Sequence, residues 1–172
     1  MIRENSSAFG ADDIPRFFDE IFEWDVRHTR DRLRQASQRM NELAARIPET
    51  PRGDGEWNAK EILAHIAVLS KAYGVFSYFI ASGRLTDLTL GDVINQRDAE
   101  GDKYMAMSAQ EIAAAATGEH ERTLKFLDGA SLEDLRRECR VERGTITAEY
   151  VVRLPLVAHL EQHIEQLEKA LD

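Results

Sequence analysis

Cysteine is nearly missing from this chain: Cys139 is the only one in 172 residues. A single thiol closes no internal disulfide, which fits a reducing, cytoplasmic setting. No apolar run approaches the roughly 20 residues needed to cross a bilayer. The opening "MIRENSSAFGADD" has no apolar signal region, so residues 1–12 read as a flexible tail and residues 13–172 as one domain. Positive charge is scarce as well. Lys and Arg total 22 against 31 Asp and Glu, a formal charge of −9, which argues against nucleic acid as a partner because such binding relies on neutralising phosphates. The locally basic "RRECRVER" is interrupted by two acids and reads as a solvated turn. Internal repeats, low-complexity tracts and convincing strand alternation are also lacking, although "CRVERGTITAEY" has room for a little extended structure.

Helix signals fill the rest. Hydrophobic residues make up 43% and charged residues 31%, the balance of a globular chain rather than a disordered one. A first helix is expected from about Ile14 to about Ile47, with Leu33, Ala36, Met40, Leu43 and Ile47 as its stripe. "PETPRGDG" breaks it. Asn58 and Glu61 form a capping box for a second helix whose apolar stripe runs from Ile62 to Ile80, with Gly83 as its terminator. A polar crossover holding a short helix near Asp92–Ala99 leads to a second box, Ser108 with Glu111, and a third helix to about Asp128. Ser131–Arg137 suggests one or two further turns, and Thr147 can cap a fourth helix. The expected fold is all-α: a four-helix bundle with a long crossover between helices 2 and 3.

The fourth helix carries the most informative stretch, "VAHLEQHIEQLEKAL". His159 and His163 are four apart and so stand one above the other. At roughly 100° per residue they fall about 70° to 110° from the centre of the apolar stripe, on the shoulder of the buried face, while Glu161, Glu165, Glu168 and Lys169 occupy the back. His65 sits on the matching shoulder of the second helix. Three shoulder imidazoles on two helices can meet in one groove, and such a facial set suits Zn²⁺, Ni²⁺ or Fe²⁺ with positions left open. A lone i,i+4 histidine pair is more often packing or decoration, so the weight rests on His65 joining it.

His28 is excluded by length: in an antiparallel hairpin of the first two helices it falls about 18 Å beyond the residue facing His65. His120, beside Gly118 and two glutamates, is expected to be partly exposed. Asp25 and Thr29, with Arg32 beside them, interrupt the first apolar stripe and read as a polar pair at a wet end of the bundle. Pro155 lies inside the fourth helix, four residues before His159, where a bend could aim the pair. Glu61 could orient an imidazole from one turn away, but capping is its more natural use. The Glu-x-x-His pairs of di-iron bundles and the His-Glu-x-x-His of zinc proteases are absent, and no motif supplies Cys139 with a base.

Taken together, "WNAKEILAHI" with Trp57 and His65, "GDVINQRDAEGDKYMAMSAQEI", "FLDGASLEDL" and "AHLEQHIEQL" resemble the DinB/YfiT-like superfamily of metalloenzymes, which includes the N-terminal domains of mycothiol-dependent maleylpyruvate isomerases. The likeness spans nearly all of the chain beyond the first dozen residues. It implies one divalent metal ion on His65, His159 and His163, a low-molecular-weight thiol such as mycothiol or bacillithiol as co-substrate, an electrophile as its acceptor, and a homodimer. It thus points to a thiol S-transferase or isomerase. A metal-hydroxide hydrolase and a non-catalytic metal-binding bundle remain as alternatives.

Overall fold

Local signals place most helix ends in the computed structural model, which describes residues 10–11, 13–48, 57–89, 91 and 101–172. Helix α1 spans Asp13–Ala44, ending slightly before the expected Ile47. Pro48 disfavours the α conformation for the residue before it, and the chain leaves through a tightened turn in which Arg46 N–H bonds Leu43 O at 2.9 Å. Helix α2 spans Ala59–Ala81 behind the expected Asn58–Glu61 box, and Gly83 follows it at φ 73°. Helix α3 spans Ala109–Gly129 behind the Ser108–Glu111 box. A short α4, Leu132–Leu135, is capped by Ser131. The small extended segment is an antiparallel hairpin of β1 (Glu138–Val141) and β2 (Gly144–Thr147).

The last helix runs in three stretches: α5 (Ala148–Val151) capped by Thr147, a π-helical stretch Val152–Ala158, and α6 (His159–Leu171). The expected short helix near Asp92–Ala99 lies outside the described residues, as does nearly all of the expected tail over residues 1–12.

Side-chain pairs fix the helix directions. Arg30 meets Asp128 and Asn41 meets Thr117, so α1 and α3 are antiparallel. Ser70 meets His120 and Tyr78 meets Phe126, so α2 and α3 run parallel. Arg32 pairs with Glu161 and Arg39 with Glu168, so α1 and the last helix are parallel. The order is up, down, down, up. A parallel α2–α3 pair needs a connection that travels back along a helix of 23 residues, about 35 Å, which explains the long crossover. Its start is pinned to the hairpin, with Leu88 N–H on Arg140 O and Arg140 N–H on Thr86 O, both at 2.8 Å.

Each of α1 and α2 packs against both α3 and the last helix, so the first two helices lie diagonally across the bundle. The hairpin neighbourhood expected of them is therefore corrected. Two helices joined in sequence need not touch when two later ones fill the space between. The diagonal place also accounts for α2's composition. It is long and apolar enough to span a membrane, yet most of it is buried within the bundle.

The core gathers Leu33, Met40 and Leu43 with Ile62, Leu63, Ile66, Ile112, Leu156 and Leu167. A smaller cluster joins Phe76, Ile80, Leu88, Cys139 and Val151 under the hairpin. Each fully buried Leu or Ile contributes roughly 1.5–3 kcal/mol. Ile62, Leu63 and Ile66 therefore anchor α2 around His65 without any help from the imidazole.

Candidate metal centre

Antiparallel packing of α2 on the last helix brings His65, on α2, against His159 and His163, on α6. The three are half-buried, and one nitrogen of each lies within 4.8 Å of the others. His159 Nε2 and His163 Nε2 approach to 2.8 Å. The His65 ring stands edge-on to both, with centroids 5.7 Å from His159 and 4.6 Å from His163. The shoulder positions read from helical phase thus converge in the groove between two helices. Trp57, just before the Asn58 cap, closes one side: its ring lies 4.6 Å from His65 and stacks 6.4 Å from His163. Beneath the pair, Ile66, Leu69, Leu156 and Leu160 line a cavity of about 10 Å³, room for a single small species.

What faces each nitrogen decides what the pair can do. Gln166 Oε1 lies 2.9 Å from His163 Nδ1; an amide oxygen only accepts, so that ring donates from Nδ1 and turns its Nε2 lone pair toward His159 Nε2. Burial, then the neighbouring His163, holds the His159 pKa below its usual value, with the Pro155 backbone opposing. Two nitrogens sharing one Zn²⁺ at about 2.0–2.1 Å each sit roughly 3–3.4 Å apart, close to what the pair already shows.

Other expectations fare differently. Glu61 is committed to its cap, with Oε2 accepting from Asn58 N–H at 2.7 Å. His28 is exposed and stacks on Trp24 at 5.3 Å, away from the triad. His120 is a correction: it is 1% exposed, not partly exposed. It lies between Ser70 Oγ at 2.8 Å from Nε2 and Ser37 Oγ at 2.9 Å from Nδ1, because that face of α3 turns to both α1 and α2. Glu161 and Glu168 are not on an open back but are half-buried against α1, paired with Arg32 and Arg39. Thr29 is buried, while Asp25 acts on the buried Glu149, whose carboxyl pKa is raised first by burial and in smaller part by Asp25. Gln166 was missed, although its place three residues after His163 puts it on the same face.

Among the described residues, this mostly helical bundle holds one cluster of three imidazoles, between two of its helices, that could bind a metal ion. A model of the DinB superfamily matches residues 25–167, and the chain belongs to that superfamily. No curated protein and no solved structure matches it.

Proposed function

We propose that the protein binds one divalent metal ion, Zn²⁺, Ni²⁺ or Fe²⁺, through His65, His159 and His163, and acts as a thiol S-transferase or isomerase. The observation that carries this reading is the convergence of three imidazole nitrogens within 4.8 Å, two of them facing each other at 2.8 Å. Three neutral nitrogen ligands leave the ion its full charge and open positions, and a bound divalent ion lowers the pKa of a coordinated thiol toward neutrality. The superfamily supports a low-molecular-weight thiol such as mycothiol or bacillithiol, whose thiolate sulfur bonds to an electrophilic carbon as that carbon's leaving group departs with the electron pair or, in isomerisation, adds to a conjugated double bond and is expelled again after the bond rotates. Within the site this chain's residues hold the ligand nitrogens, and Trp57 offers an aromatic wall at the mouth.

Metal analysis by mass spectrometry on tag-free protein comes first, beside His65→Ala and His159→Ala. One equivalent in the parent, lost in both variants, is expected. Metal-loaded protein should then accelerate thiol consumption by at least one of a panel of electrophiles. A parent that cannot be loaded overturns metal binding, and a loaded protein inert to every thiol overturns the transferase.

A further inference from the structure

On α2 the side away from His65 packs against α3. Gly74 lies nine residues after His65, which at roughly 100° per residue is half a turn round the helix and about 14 Å along it. There α2 and α3 nearly touch: a Cβ on Gly74 would stand 2.7 Å from Thr123 Oγ1. Beside this contact lies a groove of about 610 Å³, walled chiefly by Val75, Tyr78, Phe79, Phe126 and Ala130. Tyr78 is 44% exposed. Its ring stands perpendicular to Phe126 with centroids 5.8 Å apart, and Phe79 follows at 5.9 Å. A hollow of this size, apolar within and polar at its edge, has the form of a small-molecule site.

The charges around the groove differ in what answers them. Glu119 and Arg122 pair with each other at 3.2 Å. Asp134 is held by Ser131 Oγ at 2.7 Å and by Arg137 at 3.2 Å. The Lys125 ammonium, also on the lining, has no ion pair or hydrogen bond among the described residues. Arg84 is likewise without a carboxylate among them, and its guanidinium carbon stands 6.0 Å from the Tyr78 ring centre and 5.9 Å from that of Phe79. In a chain of net charge −9, two unanswered cations beside three aromatic rings favour a ligand with an apolar, flat body and one negative end. We propose that the groove between α2 and α3 is a second ligand site, for a small aromatic carboxylate whose rings lie among Tyr78, Phe79 and Phe126 and whose carboxylate pairs with Lys125. It is separate from the imidazole triad and needs no metal ion. A second copy of the chain is the poorer fit: a two-fold interface sets the same patch against itself, and two hollows do not fill each other.

The test titrates naphthalene-2-carboxylate calorimetrically into the full chain in EDTA, beside its uncharged carboxamide. At the usual efficiency per heavy atom for a ligand of this size, a Kd of about 1 mM or below is expected, with the carboxamide weaker. Backbone amide shifts should move at Val75, Tyr78 and Phe126 and stay still at His159. Lys125→Glu should weaken binding about fivefold at low salt, the upper reach of an exposed ion pair, and Tyr78→Ala about threefold to tenfold. Lys169→Glu makes the same charge change on another helix and should bind like the parent. Lys125 and Tyr78 are exposed, so both variants should melt near the parent. A carboxamide that binds as tightly as the carboxylate, or no effect of Lys125→Glu, overturns the anion site. Binding that never saturates, or shifts gathered at the triad, overturns the groove itself. A parent that sediments as a dimer and turns monomeric in Tyr78→Ala gives the groove to a second copy and overturns the proposal too. Because EDTA is present throughout, none of these results bears on the metal reading.

Discussion

His120 and the His159–His163 pair are all imidazoles wedged between helices, and they differ in what faces their nitrogens. His120 is the more deeply buried, with a serine hydroxyl at each nitrogen. A hydroxyl both donates and accepts, so either tautomer is satisfied and nothing is left over. Burial pushes its pKa down to about 4, and it stays neutral. On α6 His163 Nδ1 meets Gln166 Oε1, while the two Nε2 atoms inside the groove meet each other. Burial alone would have ranked His120 as the more unusual residue. Partner chemistry separates them: both His120 nitrogens are answered by hydroxyls from other helices, whereas the half-buried pair on α6 turns its Nε2 atoms to each other and to the groove that holds His65.

Exchanging each kind for alanine would break that contrast most strongly. His120→Ala removes a buried ring and strands two hydroxyls, and should cost about 4 kcal/mol in urea unfolding with metal content unchanged. His159→Ala should abolish metal uptake while the metal-free protein unfolds near the parent midpoint, since the core around it is aliphatic. A His120 variant that lost metal without unfolding would erase the distinction.

Acid supplies the next largest effect. The unfolded chain protonates His120 near 6.5, and the folded one only near 4. Above pH 6.5 neither state is protonated there and the group contributes no pH dependence. As pH falls from 6.5 toward 4 the unfolded state takes the proton first, and roughly 3 kcal/mol of stability is lost. His120→Leu should show a shallower slope over that interval, and parallel curves for parent and variant would sink this account.

Metal removal probes the other side. An ion present at a hundredfold excess over its Kd stabilises the folded state by about 2.7 kcal/mol. EDTA should therefore lower the melting temperature of the loaded parent and leave His65→Ala unmoved. The smallest change sharpens the comparison within His120 itself. Ser37→Ala takes one hydroxyl from Nδ1 and should cost about 1 kcal/mol, because Ser70 still answers Nε2.

Much of this was legible in the chain because it is local. The Asn58–Glu61 and Ser108–Glu111 boxes each need only residues three apart, and they start α2 and α3 where expected. The shoulder positions of His65, His159 and His163 follow from helical phase, and family likeness supplied the reason to join them. His120 was misread because its neighbours Glu119 and Gly118 suggested exposure, whereas Ser37 and Ser70 come from two other helices. The surroundings of Pro155 were only half legible: sequence places a proline before the pair, but not the π-helical turn it takes.

By itself, then, the sequence determined which segments are helical, where they are capped and which side of each helix bears an imidazole, since these depend on neighbours within a turn or two. Only the tertiary structure decided that α1 and α2 sit diagonally, that α3 runs parallel to α2, and that the three imidazoles close on one point. Those outcomes depend on which apolar faces find each other across the core, and helical phase fixes a face without fixing its partner.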